Sequence, residues 1–185
     1  MERTKRSASR TASLLLALVA LVVAVGPLVA AEEFGTTEVT MIACRIIADE
    51  VAMDEGAVYV RRRVLAVVTV TDDPYFAGRG TVIANADMYP PAGRLANLGS
   101  IEIRPDAFQG FWSGSYAMVV DADGPRGWTV SLGNGPDLRG LHVESVLRPL
   151  PPDVVAGYAW ACGGEAPISG SVAVGRIARV RPAAP

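Results

Sequence analysis

The stretch FWSGSYAMVVD, Phe111–Asp121, sets Trp112, Tyr116, Met118 and Val120 at even spacing, so all four fall on one side of an extended chain. A period of two is that of a β-strand, whose successive side chains point to opposite faces. Asp123-Gly124-Pro125 follows as a turn, and Gly127 to Leu132 reads as the next strand. Gly133-Asn134-Gly135-Pro136 turns the chain again, into Leu138 to Leu147. Strands joined by connections this short pair as antiparallel neighbours, because a parallel crossover needs a dozen residues or more.

The same reading extends in both directions. Upstream lie Glu38 to Ile47, then Val58 to Thr71 with Val58, Val60, Val64, Val68 and Val70 on one face, then Gly80 to Met88 and Leu98 to Arg104. Asp72-Asp73-Pro74, Tyr89-Pro90-Pro91 and Pro105-Asp106 punctuate them, and Ile168 to Val180 is the last strand. Only two short segments tempt a helical reading, Ala48 to Gly56 and the proline-led Pro152 to Ala161, and neither is long enough to show a helical period. The expectation is an all-β fold, an antiparallel barrel of eight to nine strands, with a β-sandwich as the alternative. Cys44 and Cys162, the only cysteines, lie near the two ends of this array. Paired, they form a disulfide that brings first and last strands together; unpaired, they are small buried apolar residues.

Residues 1–31 carry a different message. Arg3, Lys5, Arg6 and Arg10 precede the apolar run Leu14 to Val25, and Val29-Ala30-Ala31 supplies small side chains after Gly26-Pro27. This is the layout of a secretory signal peptide, and it implies a secreted or extracytoplasmic protein, in a periplasm or at a cell surface. An uncleaved membrane anchor is the alternative, against which Pro27 argues. Residues 32–180 then form one domain, with 181–185 as a disordered tail. Of 17 basic and 19 acidic residues, the leader holds four basic ones and Glu2, which leaves 13 arginines against 18 acids and a net charge near −5. That balance disfavours nucleic acid, whose phosphates reward clustered positive charge. Contact with a membrane is expected only through the leader, if it remains uncleaved.

The segments Phe111-Trp112-Ser113-Gly114-Ser115-Tyr116 and Gly133-Asn134-Gly135-Pro136-Asp137-Leu138-Arg139-Gly140-Leu141 resemble those of secreted bacterial β-barrel proteins. Their shape is similar to the barrel of the allene oxide cyclase and dirigent type. The resemblance implies a small β-barrel, in some members with an apolar interior cavity, and it carries over no catalytic residue.

Catalytic groups are sparse. His142 is the only histidine, sharing a strand face with Glu144, and no Gly-x-Ser-x-Gly elbow accompanies any serine. One histidine and a cysteine pair are too few for zinc. Asp121-Ala122-Asp123-Gly124 opens like a calcium loop, but Pro125 to Trp128 supplies none of the remaining ligands. The glycines of 133–140 lead into a strand, whereas a phosphate cradle leads into a helix N-terminus. No catalytic residue, metal or cofactor is assigned.

The aromatic residues point instead to binding. Turned inward, Trp112, Tyr116, Trp128 and Trp160 would line a cavity for a small apolar molecule, with Arg62 and Glu144 orienting it. Burial would supply roughly 25 cal/mol per Å² of apolar surface. Turned outward, they would form a patch for a partner or for cell-envelope material. The expected function is a non-enzymatic barrel binding a small apolar ligand or envelope component. The alternatives are a structural or interaction protein with a packed core, and a cyclase- or isomerase-like enzyme acting on an apolar substrate. Oligomeric state is not encoded in any feature of the chain.

Overall fold

The computed structural model describes residues 31–53, 59–89, 94–121 and 124–180. Eight antiparallel strands close into a barrel in simple sequence order. They are β1 (Ala31–Met53), β2 (Tyr59–Val70), β3 (Gly78–Tyr89), β4 (Arg94–Pro105), β5 (Phe111–Asp121), β6 (Gly124–Asn134), β7 (Leu141–Pro149) and β8 (Ser169–Val180). The barrel expectation holds, and the sandwich does not. The signal-peptide reading falls on residues 1–31 and the tail on 181–185, almost wholly outside the described residues. Among the described residues no helix is long and apolar enough to cross a membrane.

Strand β1 runs farther than its sequence pattern indicates. Ala48 to Met53, expected as the start of a short helix, continues the strand; 54–56 lie outside the described residues. Register shifts at Ala43/Arg45 and Ile46/Ala48 interrupt its pairing with β2, after which Asp49 faces Arg63 and Val51 faces Arg61. Bulges bend and twist a strand, and they carry β1 around the barrel wall. The pairing with β2 holds Ala48 to Met53 extended, which a local helical preference cannot offset.

Side chains at alternate positions fill the interior. Val39, Val67, Val82, Ile103, Trp112, Tyr116, Val143 and Leu147 are buried in one apolar cluster. An eight-stranded barrel is only just wide enough for its inward side chains, so bulky residues must face small ones. Gly99 on β4 sits opposite Tyr116 on β5. A β-carbon at Gly99 would lie 2.6 Å from Tyr116 Cε1, so glycine there makes room for the ring.

The lower end, where β1 begins, is plugged by three connections. Trp112 stacks on Phe76 of the β2–β3 loop with ring centroids 4.7 Å apart, and its Nε1 donates to the Tyr75 carbonyl oxygen at 2.7 Å. Tyr75 stacks in turn on Phe108 of the β4–β5 loop at 4.5 Å. Leu138 of the β6–β7 loop is fully buried. Gly135, at φ 94°, takes the left-handed conformation that this loop requires.

The β7–β8 connection is the one long excursion. It contains the helix α1 (Pro152–Ala156) and a 3-10 turn at Ala159–Cys162, as the proline-led sequence indicated. It lies along the outside of β1 as a strap. Ile42, which alternates with the inward Met41 and Ala43, is fully buried beneath it, and Ile42, Val155 and Leu150 converge at Gly170. The Ile168 amide donates to the Ala43 carbonyl at 2.8 Å. A disulfide between Cys44 and Cys162, with Cα atoms 5.2 Å apart, fastens the strap to β1. Such a bond is compatible with an extracytoplasmic location.

Candidate functional site

Above the aromatic plug the barrel is not solid. A small inner cavity of about 60 Å³ is walled by Val39, Phe76, Ile103, Trp112 and Val143, among others. A second cavity of about 240 Å³ lies above it, against Leu65, Val82, Ala84, Met118 and Ser171. Met41, Tyr116 and Leu147 border both, forming a waist between them. The upper cavity reaches the strand ends at Pro149 and Ser169, on the side away from the plug.

The walls are mainly hydrocarbon, with a few hydroxyl groups. Thr37, Thr69, Thr129, Ser131 and Ser145 face the inner cavity. Thr69 is engaged, its hydroxyl hydrogen-bonded to the Phe76 carbonyl oxygen. Thr37 and Thr129 are only 5% and 9% exposed, and their hydroxyl oxygens are buried without a hydrogen-bond partner. A buried hydroxyl without a partner is costly, and native structures keep few of them.

Among the described residues, Tyr116 is the one ionisable residue bordering the two cavities. Burial pushes its phenol up to about 12, partly offset by the hydrogen bond it donates to Asn97 Oδ1 at 3.0 Å. It is therefore a neutral donor at physiological pH, poorly suited to moving protons there. Because folding disfavours the phenolate, the resulting stability is present below pH 10 and is lost as pH rises toward 12. Ultraviolet titration of the folded protein should show Tyr116 ionising well after a free tyrosine. Tyr116→Phe should remove this late step.

The basic run at Arg61–Arg63 divides as strand alternation requires. Arg61 Nε and Arg63 Nε donate to Asp49 Oδ1 at 2.9 and 3.4 Å, and a second Arg61 nitrogen reaches Oδ2. The Arg61 hydrogen bond leads in holding the Asp49 carboxyl at about 2. These two arginines share the strand face of Leu65 and Val67, which line the upper cavity. Arg62 points the other way, into solvent, with Glu50 and Asn85 as its register neighbours.

Of the six residues expected to line a site, the structure brings only Trp112 and Tyr116 into the interior. Trp112 is 1% exposed and is part of the plug as well as the inner wall. Trp128 is 55% exposed on the outer face of β6, and Trp160 is 67% exposed on the strap. Glu144 and Arg62 are also outside the wall. The physical reason lies in β6, whose inward positions are Gly127, Thr129, Ser131 and Gly133. Small residues are needed there because β5 already contributes Trp112 and Tyr116, so the large apolar side chains of β6 turn outward.

That reversal creates a second feature. Trp128, Val130, Leu132, Val146 and Val174 form an exposed apolar stripe, with Trp128 opposite Val146 and Val146 opposite Val174. His142 and Glu144 lie on this same outer face, His142 between Leu132 and Ala178. The Asp121–Gly124 turn is a hairpin whose Asp121 carboxylate takes an ion pair from Arg126 at 2.5 Å. No cluster of metal-ligating side chains occurs among the described residues. Compared with protein-family models, curated proteins and solved structures, the chain matches none.

Proposed function

We propose that the protein is a non-enzymatic carrier or sensor that holds one small, mainly apolar molecule inside its barrel. The observation that supports this is the pair of adjoining cavities, the inner one floored by the Trp112 plug and the outer one reaching the upper strand ends. Most core positions of a small barrel are filled to native density, so an unfilled apolar interior of this size favours occupancy. The described walls supply hydrocarbon contact, a few hydrogen bonds and one very weakly acidic group. Binding and orientation are within their reach without any covalent step. With the leader-like N-terminus and the disulfide, the molecule would be held outside the cytoplasm.

Ala84→Leu and Ala173→Leu test this, since each puts a larger side chain into one cavity. The purified parent should yield a co-purifying small molecule on organic extraction and mass spectrometry, or take up added hexane. Both filled variants should lose it, while Trp128→Ser on the outer wall should keep it. Equal retention in filled and parent proteins, or no uptake at all, would remove the reading.

The outer stripe of Trp128, Val130, Leu132, Val146 and Val174 favours a second reading, in which the wall itself docks cell-envelope material or a partner. Contiguous exposed apolar surface on a soluble domain commonly marks such contacts. Trp128→Ser with Val146→Ser would abolish that docking and leave the interior intact.

A further inference from the structure

Resting on the cavity reading, we infer that the ligand enters polar end first and that this end is a neutral hydroxyl or carbonyl group, received by Thr37 and Thr129. These two hydroxyls are buried, lack a hydrogen-bond partner, and come from strands β1 and β6 to line the same inner cavity. The other described lining is mainly hydrocarbon with a few hydroxyls, none of them both buried and without a partner. Thr69 is bonded to the Phe76 carbonyl, and Asn97 and the Tyr116 phenol bond each other. A purely apolar ligand would leave both threonines unsatisfied. A hydroxyl or carbonyl oxygen in the inner cavity would accept from them, and a hydroxyl could also donate.

Charge is disfavoured at that position. Among the described residues no lysine, arginine, histidine, aspartate or glutamate lines either cavity, so a carboxylate or ammonium there would be desolvated with no counter-ion from them. The charged groups on the inward face of β2 lie beyond Leu65, where Arg61 and Arg63 share the single carboxylate of Asp49. An acid would therefore bind in the opposite sense, its head at that pair and its chain pointing down. The geometry thus separates two ligand classes by orientation. The unpartnered threonines favour the neutral one.

The inner cavity, at about 60 Å³, is narrow beside the upper one at about 240 Å³. The leading end is accordingly slim and unbranched, and the bulk of the molecule stays above the waist of Met41, Tyr116 and Leu147.

The test uses hexane, hexan-1-ol, hexan-2-one and hexanoate as probes, titrated calorimetrically into the parent and into Thr37→Val, Thr129→Val and the double variant. Valine keeps the shape and removes the hydroxyl. The ratio of hexanol to hexane affinity should fall about fivefold for each threonine lost, one net hydrogen bond being about 1 kcal/mol. Hexanone should follow hexanol, and Thr129→Ser should recover most of the loss. The unliganded valine variants should melt no lower than the parent, which separates lost recognition from lost folding. An unchanged hexanol-to-hexane ratio would overturn the inference while the cavity reading stands. Hexanoate binding as tightly as hexanol, and weakened by Arg63→Gln, would overturn it by placing the polar end at the rim. Failure of all four probes to bind would overturn the cavity reading and the inference with it.

Discussion

Replacing Cys44 and Cys162 together by alanine is expected to lower stability by about 4–5 kcal/mol, as chain-entropy arguments give for a loop of this length. The bond joins residues 118 apart in sequence and closes nearly the whole described chain into a ring. A domain of this size is stable by roughly 5–15 kcal/mol, so the loss would take a large share of the total. The strap would not be wholly free afterwards. Ile42 still packs against Val155 and Leu150, and the amides of Leu150 and Ile168 still donate to Gly170 and Ala43 at 2.9 and 2.8 Å. Urea unfolding of the oxidised, reduced and doubly substituted forms measures the effect. Reduced parent and alanine variant should coincide, both far below the oxidised form. A variant as stable as the oxidised parent would show that the unfolded chain gains nothing when the ring is opened.

Trp112→Ala is expected to cost about 3–5 kcal/mol, the range for removing a large aromatic side chain from a core. Three separate interactions vanish with it. The stack on Phe76 goes, the hydrogen bond to the Tyr75 carbonyl goes, and the inner cavity loses its floor. Trp112→Phe dissects the sum, because it keeps a ring against Phe76 and forfeits only the Nε1 donor, at about 1 kcal/mol. If the cavity reading is right, the alanine variant should also accept longer probes than the parent, since the floor recedes. Thermal melts with and without a hexane series of increasing chain length separate the two effects. A loss below 1 kcal/mol for Trp112→Ala would mean the plug is held by its loops alone.

Much of this architecture could be read from residue order. The run Phe111–Asp121 was assignable because its bulky residues alternate without interruption and turns flank it on both sides. The count of eight to nine strands followed from the same periodicity, which fits a barrel or a sandwich alike. The hint of closure came separately, from two cysteines placed near the ends of the array. Ala48 to Met53 misled because acidic residues near Gly56 imitate a helix end. Only the distant Arg61 and Arg63 explain why Asp49 sits on a strand. The site was harder. Trp128 looks like a wall residue by hydrophobicity, yet the volume already taken by Trp112 and Tyr116 sends it outside. Thr37 and Thr129 give no signal along the chain, since threonine is common in strands for its branched shape. Their significance depends on burial and on missing partners, neither of which is local.

The 118-residue separation of the bonded cysteines has a consequence for biogenesis. A chain made from its N-terminus presents Cys44 early, and its mate emerges only after seven strands have been synthesised. Throughout that interval Cys44 is a lone thiol exposed to foreign oxidants, and β1 lacks its eventual neighbour β8. Newly made molecules are thus most vulnerable to cross-linking with one another before their last thirty or so residues are released. Oxidative yield should depend more on how quickly the C-terminus is delivered than on how fast the early hairpins form.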